Sequence, residues 1–121
     1  MDKATTKELI EFIVESLILI KKRFSVIKSS DDFLKDDDGL EKLDSISMRL
    51  QAIGEALKNL DKRSKPFLLQ VADETYWSNI IRTREILSHH YIDLDADTIF
   101  MICDEKLIEL EEKILHLQKL L

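Results

Sequence analysis

Arg84, His89 and Tyr91, with Arg82 and His90 beside them, are the residues of this chain whose types and spacing could do chemistry on a phosphate. An imidazole titrates near neutrality and can take a proton from a hydroxyl; a guanidinium can stabilise the charge that builds on phosphorus. Those two groups suffice for metal-independent RNA cleavage, because the nucleophile is the RNA's own 2′-hydroxyl and the product is a 2′,3′-cyclic phosphate. Arg84 stands out by position. Read as a helix, the segment from Trp77 to Tyr91 has an inward stripe of Trp77, Ile80, Arg84, Leu87 and Tyr91, apolar or aromatic at every position but one. An arginine on such a stripe is rarely buried without a partner, and Glu55 or Glu85 could serve as that partner in a purely structural role. On a straight helix Arg84 and Tyr91 share a face, while His89 lies roughly 140° round from Arg84. Either the helix ends near Ser88 or the residues converge in a cleft between two chains.

Other chemistries are set aside. His89 and His90 are adjacent and diverge around a helix, and neither an HExxH nor a CxxC spacing occurs, so no metal site or cofactor is expected. With Gly39 at its turn position, a calcium loop in the acidic stretch 29–39 would need Leu34 and Ser45 as end ligands. Two glycines cannot build a phosphate-cradling loop, and no serine has the strand-to-helix elbow of a hydrolase. The lone Cys103 forms no internal disulfide and fits a reducing cytoplasm, as does the lack of a signal-peptide pattern before Thr5 or a run long enough to span a membrane. The net charge of −6 argues against broad non-specific nucleic-acid binding, so an RNA site must be a local basic cleft.

The elements that must position these residues read as helices. Residues 1–121 are expected to form one domain, and 2 Gly with 1 Pro leave few places for the tight turns that strands need. Thr5-x-x-Glu8 has the form of a capping box, starting a helix whose seam is Ile10, Ile13, Leu17, Ile20, Phe24 and Ile27. Asp38 is expected to cap a second helix, about 40–61, with Leu40, Leu43, Ile46, Leu50, Ile53, Leu57 and Leu60 on one stripe. Gly54 in mid-helix implies a close helix–helix approach. Pro66 opens a short helix over 65–73, whose Phe67, Leu68 and Val71 plug the bundle end. Asp95 or Asp97 caps a last helix carrying Ile99, Cys103, Leu107, Leu110, Ile114, Leu117 and Leu121. The fold class expected is all-α: an up-and-down bundle of four long helices and one short one.

The spacing Arg84-x4-His89-x-Tyr91 resembles the R-x4-H-x-Y motif of the HEPN family, in the branch paired with a minimal nucleotidyltransferase in toxin–antitoxin operons. Trp77 with Ile80-Ile81 resembles that branch's W-x-x-I-I lead-in, and Ile53-Gly54-Glu55-Ala56 its I-G-E-A segment. The resemblance implies a homodimer of helical bundles with Arg84 and His89 of both subunits lining a cleft, acting as a metal-independent endoribonuclease. It further implies a cognate nucleotidyltransferase antitoxin that transfers AMP to Tyr91. Arg82 and His90 are candidate substrate-binding residues. Glu85 departs from the family pattern, which often has Asn there, and its carboxylate would pair with Arg84 or repel phosphate. The alternative function is a non-catalytic, substrate-binding or modified subunit of a nucleotidyltransferase complex.

Overall fold

A reciprocal pair of hydrogen bonds starts the first helix: the Glu8 amide donates to the Thr5 hydroxyl, and the Thr5 amide donates to the Glu8 carboxylate, each at 3.1 Å. The computed structural model describes residues 4–89 and 95–121, with side chains described for all of these except 86–89. From that capping box α1 runs Thr6–Phe24 and buries Ile10, Ile13, Leu17 and Ile20, the seam read from the sequence. It stops at Phe24, one turn before the last seam position; Ile27 is still buried, but from the following turn.

The acidic stretch holds a short helix, α2 (Asp31–Leu34), that plugs Phe33 into the core. The cap of the next helix, α3 (Asp37–Leu69), is Asp36 and not Asp38: the Asp36 carboxylate accepts from the Gly39 amide at 2.8 Å. Gly39 decides this. A Cβ there would run into the Asp32 carbonyl, so the glycine lets the start of α3 tuck under α2. Asp38 instead faces solvent and pairs with Lys42 at 2.8 Å, a partner whose ammonium holds that carboxyl below its usual range. Leu40, placed on the buried stripe by its spacing, is exposed, whereas Leu43, Ile46, Leu50, Ile53, Leu57 and Leu60 are buried.

Near its end α3 bends at Ser64 (φ −144°, ψ 41°). Pro66 is the cause, since its ring clashes with the carbonyl four residues back and supplies no amide. The short helix expected over 65–73 is therefore the bent end of α3, with Leu68 fully buried at the bundle's end. Asp73 caps α4 (Glu74–His89), accepting from the Tyr76 amide at 2.8 Å. Asp95 caps α5 (Ala96–Met101), accepting from Thr98 Oγ1 at 2.7 Å. The last helix is not uniform: a π-helical turn over Ile102–Lys106 separates α5 from α6 (Leu107–Lys119). Its apolar positions 99, 103 and 107 step by four twice. The wider turn keeps all three facing inward where an α-helix would rotate them away. Leu121, the last position of that stripe, is exposed.

These elements make an all-α, up-and-down bundle. The end of α3 meets the start of α1, where Arg63 donates to the Ala4 carbonyl at 2.5 Å. Lys21 at the end of α1 pairs with Glu111 of α6 at 3.0 Å, and Trp77 at the start of α4 meets the end of α3. Consecutive long helices are thus antiparallel, and α3 packs along both α1 and α4. No helix among the described residues is long and apolar enough to cross a membrane.

The cap assignment is testable by urea unfolding. Asp36→Ala should cost about 1 kcal/mol, the usual loss for an N-cap carboxylate. Asp38→Ala should leave the unfolding midpoint close to that of the wild type, since it removes only an exposed helix pair.

Candidate active site

Helix α4 is set in place by its first turns. Trp77, 1% exposed, buries its ring against the bend of α3, and its indole Nε1 donates to the Leu68 carbonyl at 2.9 Å. Ile80 and Ile81 follow it onto the core. With the rotation of α4 fixed there, Arg84 comes to face α3 at Gly54. A Cβ on Gly54 would stand 2.5 Å from Arg84 Cβ and 3.2 Å from its Cγ. Carbon atoms in contact sit about 3.5–4.0 Å apart, so only a glycine lets the two helices come this close. This is the close approach implied by a glycine in mid-helix.

The approach delivers Arg84 to the residue next to Gly54. Arg84 Nη1 donates to Glu55 Oε1 at 2.7 Å, and Arg84 Nη2 lies 3.6 Å from Glu85 Oε1. Both carboxylates named as possible partners are engaged, unequally. The arginine side chain is only 13% exposed, whereas those of Glu55 and Glu85 are about half exposed. Arg84 Nε is buried and has no hydrogen-bond partner among the described residues. The result is a guanidinium held by the packing of its stem, with its outer nitrogens turned toward two half-exposed carboxylates.

The other predicted residues are placed less closely together. Arg82 is exposed on α4, about 160° round the helix from Arg84, and is not brought beside it within the chain. The backbone is helical through His89, so Arg84 and His89 occupy positions five apart on one continuous helix. The last described residue of α4 is thus one position beyond Ser88, where the sequence allowed the helix to end. The His89 side chain, His90 and Tyr91 lie outside the described residues. Cys103 is buried, and burial pushes its thiol up to about 12, which leaves it a small core residue with no thiolate at neutral pH.

A family model described as Ribonuclease HepT-like matches residues 13–117. The chain belongs to the HepT-like ribonuclease family. The match runs from the middle of α1 to the last turn of α6 and so takes in Gly54, Glu55 and Arg84 along with the motif positions through Tyr91. This is a HEPN-type toxin family, in agreement with the R-x4-H-x-Y resemblance. No curated protein and no solved structure matches the chain.

For a HepT-like ribonuclease the contact the sequence did not supply is the one between Gly54 and Arg84. The glycine was visible, but its neighbour is thirty positions away and is set by tertiary packing. Gly54→Ala gains helix propensity of about 1 kcal/mol yet overpacks a tight contact, which costs about 1–3 kcal/mol. Thermal unfolding should show a net loss, and the Arg84–Glu55 bond should be displaced in the variant.

Proposed function

We propose that this chain is a metal-independent endoribonuclease toxin in which Arg84 and His89 act on one phosphodiester. The observation that carries it is a nearly buried arginine, held at 13% exposure against Gly54, within a chain of the HepT-like ribonuclease family. His89 takes the proton of the RNA 2′-hydroxyl as that oxygen attacks phosphorus. The P–O5′ bond breaks, the 5′-oxygen leaves with a proton from solvent, and the product carries a 2′,3′-cyclic phosphate. Arg84 stabilises the extra negative charge on the phosphoryl oxygens, an effect that is large where water is partly excluded.

Positions five apart on one helix are poorly disposed to act together, so the pair is assembled across a homodimer: Arg84 of one chain with His89 of its partner. A two-fold axis would then create two equivalent sites, consistent with an acidic chain whose basic groups matter only locally. Arg82 and His90 flank the motif and would contact RNA. Regulation falls to Tyr91, as acceptor of AMP from a cognate nucleotidyltransferase. A phosphodiester added there puts negative charge near the seat of the substrate phosphate. One observation favours a non-catalytic role instead: both carboxylates on Arg84 compete with a phosphate for it.

Cleavage of a fluorogenic RNA separates the two readings. His89→Ala should lower kcat by about 100-fold or more, the usual share of a general base, and the wild-type product should be a cyclic phosphate. Intact-mass spectra after co-expression with the partner should show AMP additions that vanish in Tyr91→Phe. Undiminished cleavage by His89→Ala would rule out the assigned base, and no cleavage by the unmodified wild type would leave the non-catalytic role.

A further inference from the structure

The two carboxylates on Arg84 are not equivalent, and their difference has a chemical meaning. A guanidinium has five N–H donors in a planar fork. The Nε donor is buried with no hydrogen-bond partner among the described residues, so the contacts at the site fall to Nη1 and Nη2. At 2.7 Å the Nη1 to Glu55 contact is a short, charge-assisted hydrogen bond. At 3.6 Å the Nη2 to Glu85 contact is outside hydrogen-bond range and is an ion pair only.

The backbone explains why one contact is tight. Glu55 follows Gly54, the residue pressed onto the Arg84 stem, so the helix turn that bears the carboxylate and the stem that bears the guanidinium are locked together. Glu85 shares no such constraint: it is the next residue on α4, half exposed like Glu55, and reaches back to its own neighbour on the same helix.

We infer that Glu55 is the positioning residue of the Arg84 guanidinium, fixing Nη1 so that Nη2 is presented to the scissile phosphate, and that Glu85 is the contact this phosphate displaces. The inference rests on the ribonuclease reading above. Its physical basis is preorganisation. A donor aimed in advance at the developing charge stabilises it without reorganising, whereas an arginine free to swing must be ordered at each turnover. The local charge supports the division of labour. One guanidinium between two carboxylates carries a net −1, which repels a diester unless one carboxylate gives way, and the looser contact costs least to break.

Steady-state cleavage kinetics of purified, unmodified protein test this, using Glu55→Ala, Glu55→Gln and Glu85→Gln beside the wild type and Arg84→Ala. Glu55→Ala should lower kcat by about 10- to 100-fold, the cost expected of a misplaced catalytic group, with a smaller change in KM. Glu55→Gln keeps an acceptor oxygen for Nη1 and should recover most of that loss. Glu85→Gln should lower KM by up to about fivefold, the worth of one exposed ion pair, with kcat unchanged. Nitrogen-15 NMR of the Arg84 side chain supplies a readout independent of turnover. Rotation of its Nη groups should be slow in the wild type and Glu55→Gln but fast in Glu55→Ala.

A Glu55→Ala variant with unchanged or raised kcat and lowered KM would make Glu55 a competitor of the phosphate and overturn the inference. So would free Nη rotation in the wild type. Cleavage that is the same in Arg84→Ala as in the wild type would instead overturn the ribonuclease reading, and the role of Glu55 with it.

Discussion

The contact between Gly54 and Arg84 is the constraint on which the candidate site depends. Two helices that would normally be held apart by a Cβ meet at a distance only glycine permits. Trp77 sets the rotation that makes the meeting possible, with its indole tied to the bend of α3 that Pro66 produces. The arginine stem then serves as core, and the guanidinium at its end is delivered to Glu55. Stability and chemistry are thereby coupled: the packing that holds α3 against α4 also aims a cation. An arginine on an apolar stripe looks like an error of patterning until its partner helix is seen.

Much of this was legible in the residues themselves, wherever the cause was local. Thr5 and Glu8 specify a helix start within four residues, and the capping box forms as read. The seam of α1 and the stripe of α3 follow from spacing, because burial against a neighbouring helix rewards that period whatever the neighbour is. What was not legible was set by contacts distant in sequence. Asp36, Asp37 and Asp38 are chemically equal candidates for a cap, and the choice among them was made by Gly39 fitting under the Asp32 carbonyl. Leu40 has the spacing of a core residue but is exposed in the first turn of α3. The π-helical turn at Ile102–Lys106 corrects a phase drift that two steps of four create, a signal present in the stripe but easily read as an ordinary helix.

The candidate site was legible in part for the same reason. Arg84 was conspicuous because a charge on an apolar stripe needs a partner, and Glu55 and Glu85 were both within the short set that could provide one. Which would bind more tightly depended on a position beside Gly54, twenty-nine residues from Arg84. The membership in the HepT-like ribonucleases rests on nearly the whole chain, so it speaks for the bundle as well as for the motif. Chemistry between Arg84 and His89 adds a geometric demand. A continuous helix through His89 keeps the two positions well apart in angle, and a second chain is the simplest way to bring such groups to one phosphate.

That demand gives the most direct test of the proposed site. Arg84→Ala and His89→Ala proteins, each inactive alone, can be unfolded together and refolded at equal amounts so that mixed dimers form. If Arg84 of one chain works with His89 of the other, every mixed dimer holds one intact site. Half of the dimers are mixed, and the mixture should recover about a quarter of wild-type ribonuclease activity. No recovery, with mixed dimers present by native mass spectrometry, would contradict a site shared between two chains.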